Sequence, residues 1–181
     1  MPLGCSGLTE RGFQRTQALA DRLHVTGELN DCRALLCSPV LRARQTAEIL
    51  AGALPVGVVE EDDGLCEVHP GEADGLSWED YHAGYGGFDL VTSPTRAFSP
   101  GGESWSEFLL RVRGTLERLA ERFTGQTVVA VTHAGFIVAS FLVLFDIPRP
   151  GTGARLDPAH LSQTEWSVSE AAWRLVRFND G

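Results

Sequence analysis

The sequence predicts an α/β protein: three α/β/α layers around a mostly parallel sheet, closed by a C-terminal β-hairpin, with 1–181 as a single domain. Three observations carry this. Apolar strand-length runs are each followed directly by an amphipathic or apolar helix pattern, at 34–37 with 39–51 and at 127–131 with 136–145, the alternation of a parallel sheet. Those strand runs are apolar throughout rather than alternating, which predicts burial on both faces. Only 164–168 and 173–178 alternate with period two, around a short turn at 170–172, and that is a hairpin pattern.

Taken in order, residues 1–7 are small and turn-like. Thr9 is an N-cap candidate with Glu10 in the first turn, and Gly12, Thr16, Leu19, Ala20 and Leu23 recur at helical spacing. Ala34-Leu35-Leu36-Cys37 is a short buried strand. Ser38-Pro39 then predicts a helix start, with serine at the N-cap and proline at the first helical position. Ala43, Thr46, Ala47 and Leu50 form the buried stripe of that helix, Arg42 lies in its first turn beside the strand end, and Arg44 points elsewhere. Residues 55–59 are strand-like and lead into the acidic cluster 60–63. The loop Leu65-Cys66-Glu67-Val68-His69-Pro70-Gly71-Glu72 follows.

Residues 78–100 read as irregular, a lid or insertion carrying Trp78, Tyr81 and Tyr85. Ser104-Trp105-Ser106-Glu107 is a capping box opening a helix whose Trp105, Phe108, Leu109, Val112, Leu116, Leu119 and Phe123 share one face. That stripe is core. The run Thr127-Val128-Val129-Ala130-Val131 then places His133 at the carboxyl end of a strand and the amino end of a helix. Ligands of open α/β sheets bind beyond such strand ends, and helix N-termini favour anions. A core histidine satisfied by a carbonyl is the plainer alternative. Residues 148–160 are a Pro/Gly-rich loop before the hairpin.

Composition narrows the function. The chain is 43% apolar and 22% charged, the profile of a globular domain. A net charge of −9 argues against nucleic acid and anionic membranes as main partners. All fifteen basic residues are arginine, a side chain suited to bidentate phosphate contact, although coding bias explains the same bias more simply. Cys5, Cys32, Cys37 and Cys66 form no C-x-x-C pair and read as reduced thiols of a cytoplasmic protein. No apolar run is long enough to span a bilayer. The five histidines show no metal-ligand spacing.

Four ordered segments, Leu8-Thr9-Glu10-Arg11-Gly12, residues 38–47, Pro100-Gly101-Gly102-Glu103-Ser104 and Val131-Thr132-His133-Ala134-Gly135, together resemble the histidine phosphatase superfamily, in its phosphoglycerate mutase-like branch. Leu65-Cys66-Glu67 with residues 71–76 is similar to that family's acid loop, and the resemblance extends to the closing hairpin. It implies phosphomonoester hydrolysis through a phosphohistidine. Arg42 would hold phosphoryl oxygens, His133 would donate to them as charge builds, and Glu67 would protonate the leaving oxygen. Ser6, Gly7 and Ala134 are the expected substrate-binding neighbours. The implied partner is a small phosphorylated metabolite or inorganic phosphate. The resemblance implies no cofactor and no metal, and leaves the oligomeric state open.

The family's Arg-His-Gly motif, which carries the nucleophile, has no counterpart in the chain. The resemblance therefore leads one to expect an N-terminally incomplete domain lacking its first strand, with two strands facing an unfilled gap. Three readings follow: an incomplete phosphatase, a pseudophosphatase that binds phosphorylated ligands, or an α/β interaction domain. A mutase is disfavoured because the stretch from Glu67 to the capping box is short.

Overall fold

The computed structural model of the chain describes residues 5–87, 92–147, 155–169 and 172–181. In chain order the elements are α1 (Glu10–Thr26), β1 (Cys32–Cys37), α2 (Leu41–Ala51), β2 (Val59–Glu61), two 3₁₀ turns (Asp63–Leu65 and Gly71–Ala73), α3 (Trp78–Tyr85), α4 (Trp105–Arg122), β3 (Thr127–Val131), α5 (Ala134–Leu144), β4 (Gln163–Val168) and β5 (Trp173–Asp180). Strands β2, β1 and β3 form a parallel sheet in that order, with Leu35 opposite both Val59 and Val129.

The layers follow from the period of two along β1. Ala34 and Leu36 face one core with Leu65, Phe108, Val112, Leu119 and Phe136, supplied largely by α4 and α5. Leu35 and Cys37 face the other, with Ala20, Leu23, Ala47 and Leu50 from α1 and α2. β1 is thus the spine of the domain. Its two leucines are essentially inaccessible, each stabilising the fold by about 1.5–3 kcal/mol through burial. The hairpin β4–β5 packs on α5, where Phe141 meets the rings of Trp166 and Phe178 at 5.0 and 5.1 Å. Arg177 ties it to Glu28 beyond α1 at 3.3 Å.

Several local expectations are corrected. The helix after β1 begins at Leu41, with Val40 at its cap position, rather than at Ser38-Pro39. The Ser38 amide instead continues the sheet by donating to the Val131 carbonyl at 3.0 Å, and its hydroxyl is committed to the site described below. The second strand is Val59–Glu61, not 55–59. Its acidic residues and Asp62 are paired: Glu60 with Arg122, Glu61 with Arg44 and Asp62 with Arg118. Residues 78–85 form a helix capped by Ser77, whose hydroxyl accepts from the Asp80 amide. An eight-residue helix with no clear apolar stripe leaves little periodic signal. α1 runs to Thr26 and leaves His24 exposed in its last turn.

β3 is not buried on both faces as its composition suggested. Val128 packs in one core and Val129 and Val131 in the other, but none of its residues is fully buried and Ala130 is exposed. The reason is its position: among the described residues β3 is an edge of its sheet, and the hairpin forms a separate sheet. The hairpin turn read at 170–172 falls largely on residues 170–171, which lie outside the described residues, as does 148–154 of the Pro/Gly-rich loop.

Candidate active site

β3 ends one residue before Thr132-His133, and His133 is the cap residue of α5. Its ring is buried and sits between two partners. Arg42, in the first turn of α2, lies 3.1 Å from Nδ1, and the Ser38 hydroxyl lies 2.9 Å from Nε2. A guanidinium only donates, so Nδ1 must accept and the single ring proton must sit on Nε2. That proton goes to Ser38 Oγ, which also accepts from the Val40 amide at 3.3 Å. The Ser38 hydroxyl hydrogen is then left for Cys66 Sγ, 3.3 Å away, and the thiol hydrogen for Asp63 Oδ1 at 3.5 Å. The result is a directional relay: Arg42, His133, Ser38, Cys66, Asp63.

This relay requires a neutral imidazole. Burial, then the nearby positive charges of Arg42 and Arg111, lower the His133 pKa from 6.5 to about 4. In this arrangement His133 is therefore an acceptor toward Arg42. An anion between the two would remove that conflict of positive groups.

Glu67 reaches the same place from the other side of the sheet. Oε2 accepts from the Gly135 amide at 2.9 Å and Oε1 from the Val68 amide at 3.1 Å. The carboxylate thus sits at the free amides and positive end of α5. A Cβ on residue 135 would fall onto the Glu67 carboxylate, so glycine there lets the carboxylate sit against the helix amide. The loop backbone is held by Arg111 of α4. Arg111 binds Glu103 through two hydrogen bonds of 2.7 Å and donates to the carbonyls of Gly64, Cys66 and Glu67 at 2.9, 3.1 and 3.0 Å. Burial alone would raise the Glu103 carboxyl, but Arg111 and the His69 amide outweigh it and hold it below its ordinary value. The Pro100-Gly101-Gly102 turn braces the loop, with Glu103 N–H donating to the His69 carbonyl and Glu72 N–H to that of Pro100. Gly71, at φ +65, has no room for a Cβ against this turn.

A cavity of about 300 Å³ opens beside these groups, lined by Arg42, Glu67 and Cys5 together with Val40, Leu76 and Trp78. Of the expected substrate-binding neighbours, Ala134 is the first residue of α5 and is exposed. Ser6 is exposed too, and Gly7 lies against the Gln45 side chain at φ +89. Cys5, which sequence reasoning passed over, is the member of that segment that lines the cavity. Burial, the largest influence, raises its thiol, but hydrogen bonds from the Gly7 and Arg42 amides and the Arg42 guanidinium bring it below the ordinary value. Of the possible lid aromatics, Tyr81 is core, stacked on Phe98 at 4.2 Å, whereas Trp78 is 67% exposed.

Sequence reasoning picked out Arg42, Glu67 and His133, and these converge. It missed Ser38, assigned to a helix cap, and Arg111, hidden on a helix read for its apolar stripe. It also passed over a mixed cluster: Asp63, Cys66 and His69 have ligand atoms within 4.8 Å of one another. Their i, i+3, i+6 spacing was the available signal.

Comparison with known proteins identifies the family and the fold. The model of the histidine phosphatase superfamily, branch 1, matches residues 5–181. The metal-independent phosphoserine phosphatase of Arabidopsis thaliana is 28% identical over 173 residues, 90% of this chain and 69% of that protein. Among solved structures, Bacillus stearothermophilus YhfR superposes with a TM-score of 0.83 at 24% identity, covering 100% of this chain and 88% of the other, a likeness of fold. The mycobacterial glucosyl-3-phosphoglycerate phosphatase complexed with VO3 gives 0.78 at 26% identity, covering 100% and 90%. With the ordered motifs, the parallel sheet and the family match agreeing along the chain, the protein belongs to the histidine phosphatase superfamily, branch 1.

Proposed function

We propose that this chain carries the phosphate-holding and proton-donating side of a phosphomonoesterase site. The observation behind this reading is that Arg42 and Glu67, from separate segments, line one cavity, with His133 held against Arg42 at 3.1 Å and Glu67 bound to the Gly135 amide two residues on. The Arg42 fork takes phosphoryl oxygens in place of its contact with His133 Nδ1. The incoming negative charge makes protonation of Nδ1 favourable, and His133 then donates to the same group as charge builds. Glu67 gives a proton to the leaving oxygen as the P–O bond breaks.

In this chemistry a second histidine attacks phosphorus and water later cleaves the phosphohistidine. His69 and His82 have their contacts at Asp63 and Trp78, His24 and His160 are exposed, and the histidine hydrogen-bonded to Arg42 among the described residues is His133. The reading for the chain as it stands is therefore binding without turnover, the pseudophosphatase behaviour. A product with an Arg-His-Gly strand along the open edge of β3 would hydrolyse. Arg42 is the one cation among the described lining residues, beside the carboxylates of Glu67 and Asp74, and Val40, Val68, Leu76 and Trp78 supply apolar wall. This favours monophosphates of apolar organic groups over bisphosphates. The four unpaired cysteines support a cytoplasmic setting, and no helix among the described residues is long and apolar enough to cross a membrane.

The test is vanadate titration followed by the His133 ring signals in NMR. Saturable perturbation in this chain and its loss in Arg42→Ala are expected, and an unresponsive His133 would sink the reading. For a product that includes the Arg-His-Gly segment, p-nitrophenyl phosphate hydrolysis should survive EDTA.

A further inference from the structure

We propose that Asp63, Cys66 and His69 form a binding site for a single Zn²⁺-class ion on the outer side of the Glu67 loop. None of the three lines the cavity; Cys66 and Asp63 adjoin it as the far end of the His133 relay, and the metal proposal stands whether or not the phosphate reading does.

The geometry comes first. Cys66 Sγ lies 3.5 Å from Asp63 Oδ1, and His69 Nε2 lies 3.6 Å from Asp63 Oδ2. All three donor atoms fall within 4.8 Å of one another. Tetrahedral Zn²⁺, with bonds of about 2.0–2.3 Å, holds its ligand atoms about 3.3–3.6 Å apart. The side chains are therefore nearly in place without the ion. The local backbone explains the spacing. A 3₁₀ turn covers Asp63–Leu65, and at three residues per turn it brings positions i and i+3 to one side.

The surroundings are those of a ligated histidine and thiolate. His69 Nδ1, the nitrogen away from the site, lies 3.6 Å from Glu103 Oε2. A small closing of that distance to a hydrogen bond would give the carboxylate–histidine–metal order that fixes the ring and strengthens the ligand. Glu103 is itself locked by Arg111. Cys66 Sγ faces the Ser38 hydroxyl at 3.3 Å, a donor ready for a thiolate. A thiolate, an imidazole and a carboxylate select Zn²⁺ or Co²⁺ over Mg²⁺ or Ca²⁺. Exposed Asp63 opens the site to solvent, and three protein ligands leave the fourth position to water.

On binding, the Cys66 thiol proton passes to solvent, one metal–oxygen bond to Asp63, one metal–nitrogen bond to His69 and one metal–sulfur bond to Cys66 replace water ligands of the aqueous ion, and no redox change occurs. Because Cys66 and His69 flank Glu67, the ion clamps the acid loop from behind.

Co²⁺ added to chelator-stripped protein, without phosphate, is the probe. One equivalent should produce a thiolate-to-cobalt charge-transfer band and the visible bands of tetrahedral Co²⁺, and Zn²⁺ should erase both. Cys66→Ser should abolish the charge-transfer band and Cys5→Ser should leave it intact. His69→Ala and Asp63→Asn should each weaken Zn²⁺ binding by at least about tenfold in chelator competition. Asp63 is exposed, so that variant tests the site even if Cys66→Ser does not fold. No thiolate band with Co²⁺ in large excess, a band lost with Cys5 instead of Cys66, or unchanged Zn²⁺ affinity in Asp63→Asn would overturn the proposal.

Discussion

The neutral state of His133 has a measurable consequence for stability. Moving a histidine from 6.5 to about 4 corresponds, at about 1.4 kcal/mol per pH unit, to about 3 kcal/mol. The ring is only 7% exposed, so solvent screening takes little from this figure. The sign follows from which state binds the proton. Above pH 6.5 the ring is neutral folded and unfolded, and it costs nothing. Between 6.5 and about 4 the unfolded chain takes up a proton that the folded chain refuses, so stability falls as pH falls. Below about 4 both states are charged and the loss is complete. His133→Gln is the control: its amide can donate to Ser38 and its carbonyl can accept from Arg42, but it does not titrate. Urea unfolding of both proteins from pH 7 to 4 should show the wild-type chain losing about 3 kcal/mol relative to the variant. A difference that stays flat with pH, or an imidazolium signal from ligand-free His133 at pH 6, would refute the relay from Arg42 to Asp63.

Arg111→Met removes the fork that joins Glu103 to three carbonyls of the acid loop. It should cost about 3–5 kcal/mol by urea unfolding, since a half-buried carboxylate is left without its partner. Gly135→Ala pushes a Cβ onto the Glu67 carboxylate. In a product carrying the Arg-His-Gly segment, it should slow alkyl phosphates far more than p-nitrophenyl phosphate, whose leaving group needs no acid. Equal slowing of both would argue against Glu67 as the proton donor. Tyr81→Ala should destabilise by about 3 kcal/mol because its buried ring stacks on Phe98, whereas Trp78→Ala should stay within about 0.5 kcal/mol while altering affinity for organic phosphates. Thermal unfolding and vanadate competition separate the two.

Local pattern settled much of this protein. The Ser104–Glu107 capping box and the stripe Phe108, Val112, Leu119 lie where sequence alone put them, because caps and helical periodicity act within a few residues. The same holds for the strand–His133–helix unit and the period-two hairpin. Arg42, Glu67 and His133 were legible as members of ordered motifs. What stayed hidden depends on residues far apart in the chain. Ser38 has the composition of a helix cap, but the ring of His133 and the thiol of Cys66 claim its hydroxyl, and the helix starts later. Arg111 lies on a helix whose visible signal was hydrophobic, and its partners are carbonyls, which sequence does not reveal. β3 has the composition of a doubly buried strand, yet sheet order leaves it at an edge. Composition determined which segments would be strand, helix and motif. Only tertiary structure decided which donors meet which acceptors across the sheet, and with that the neutral state of His133, because burial and neighbouring charge are properties of the packed site.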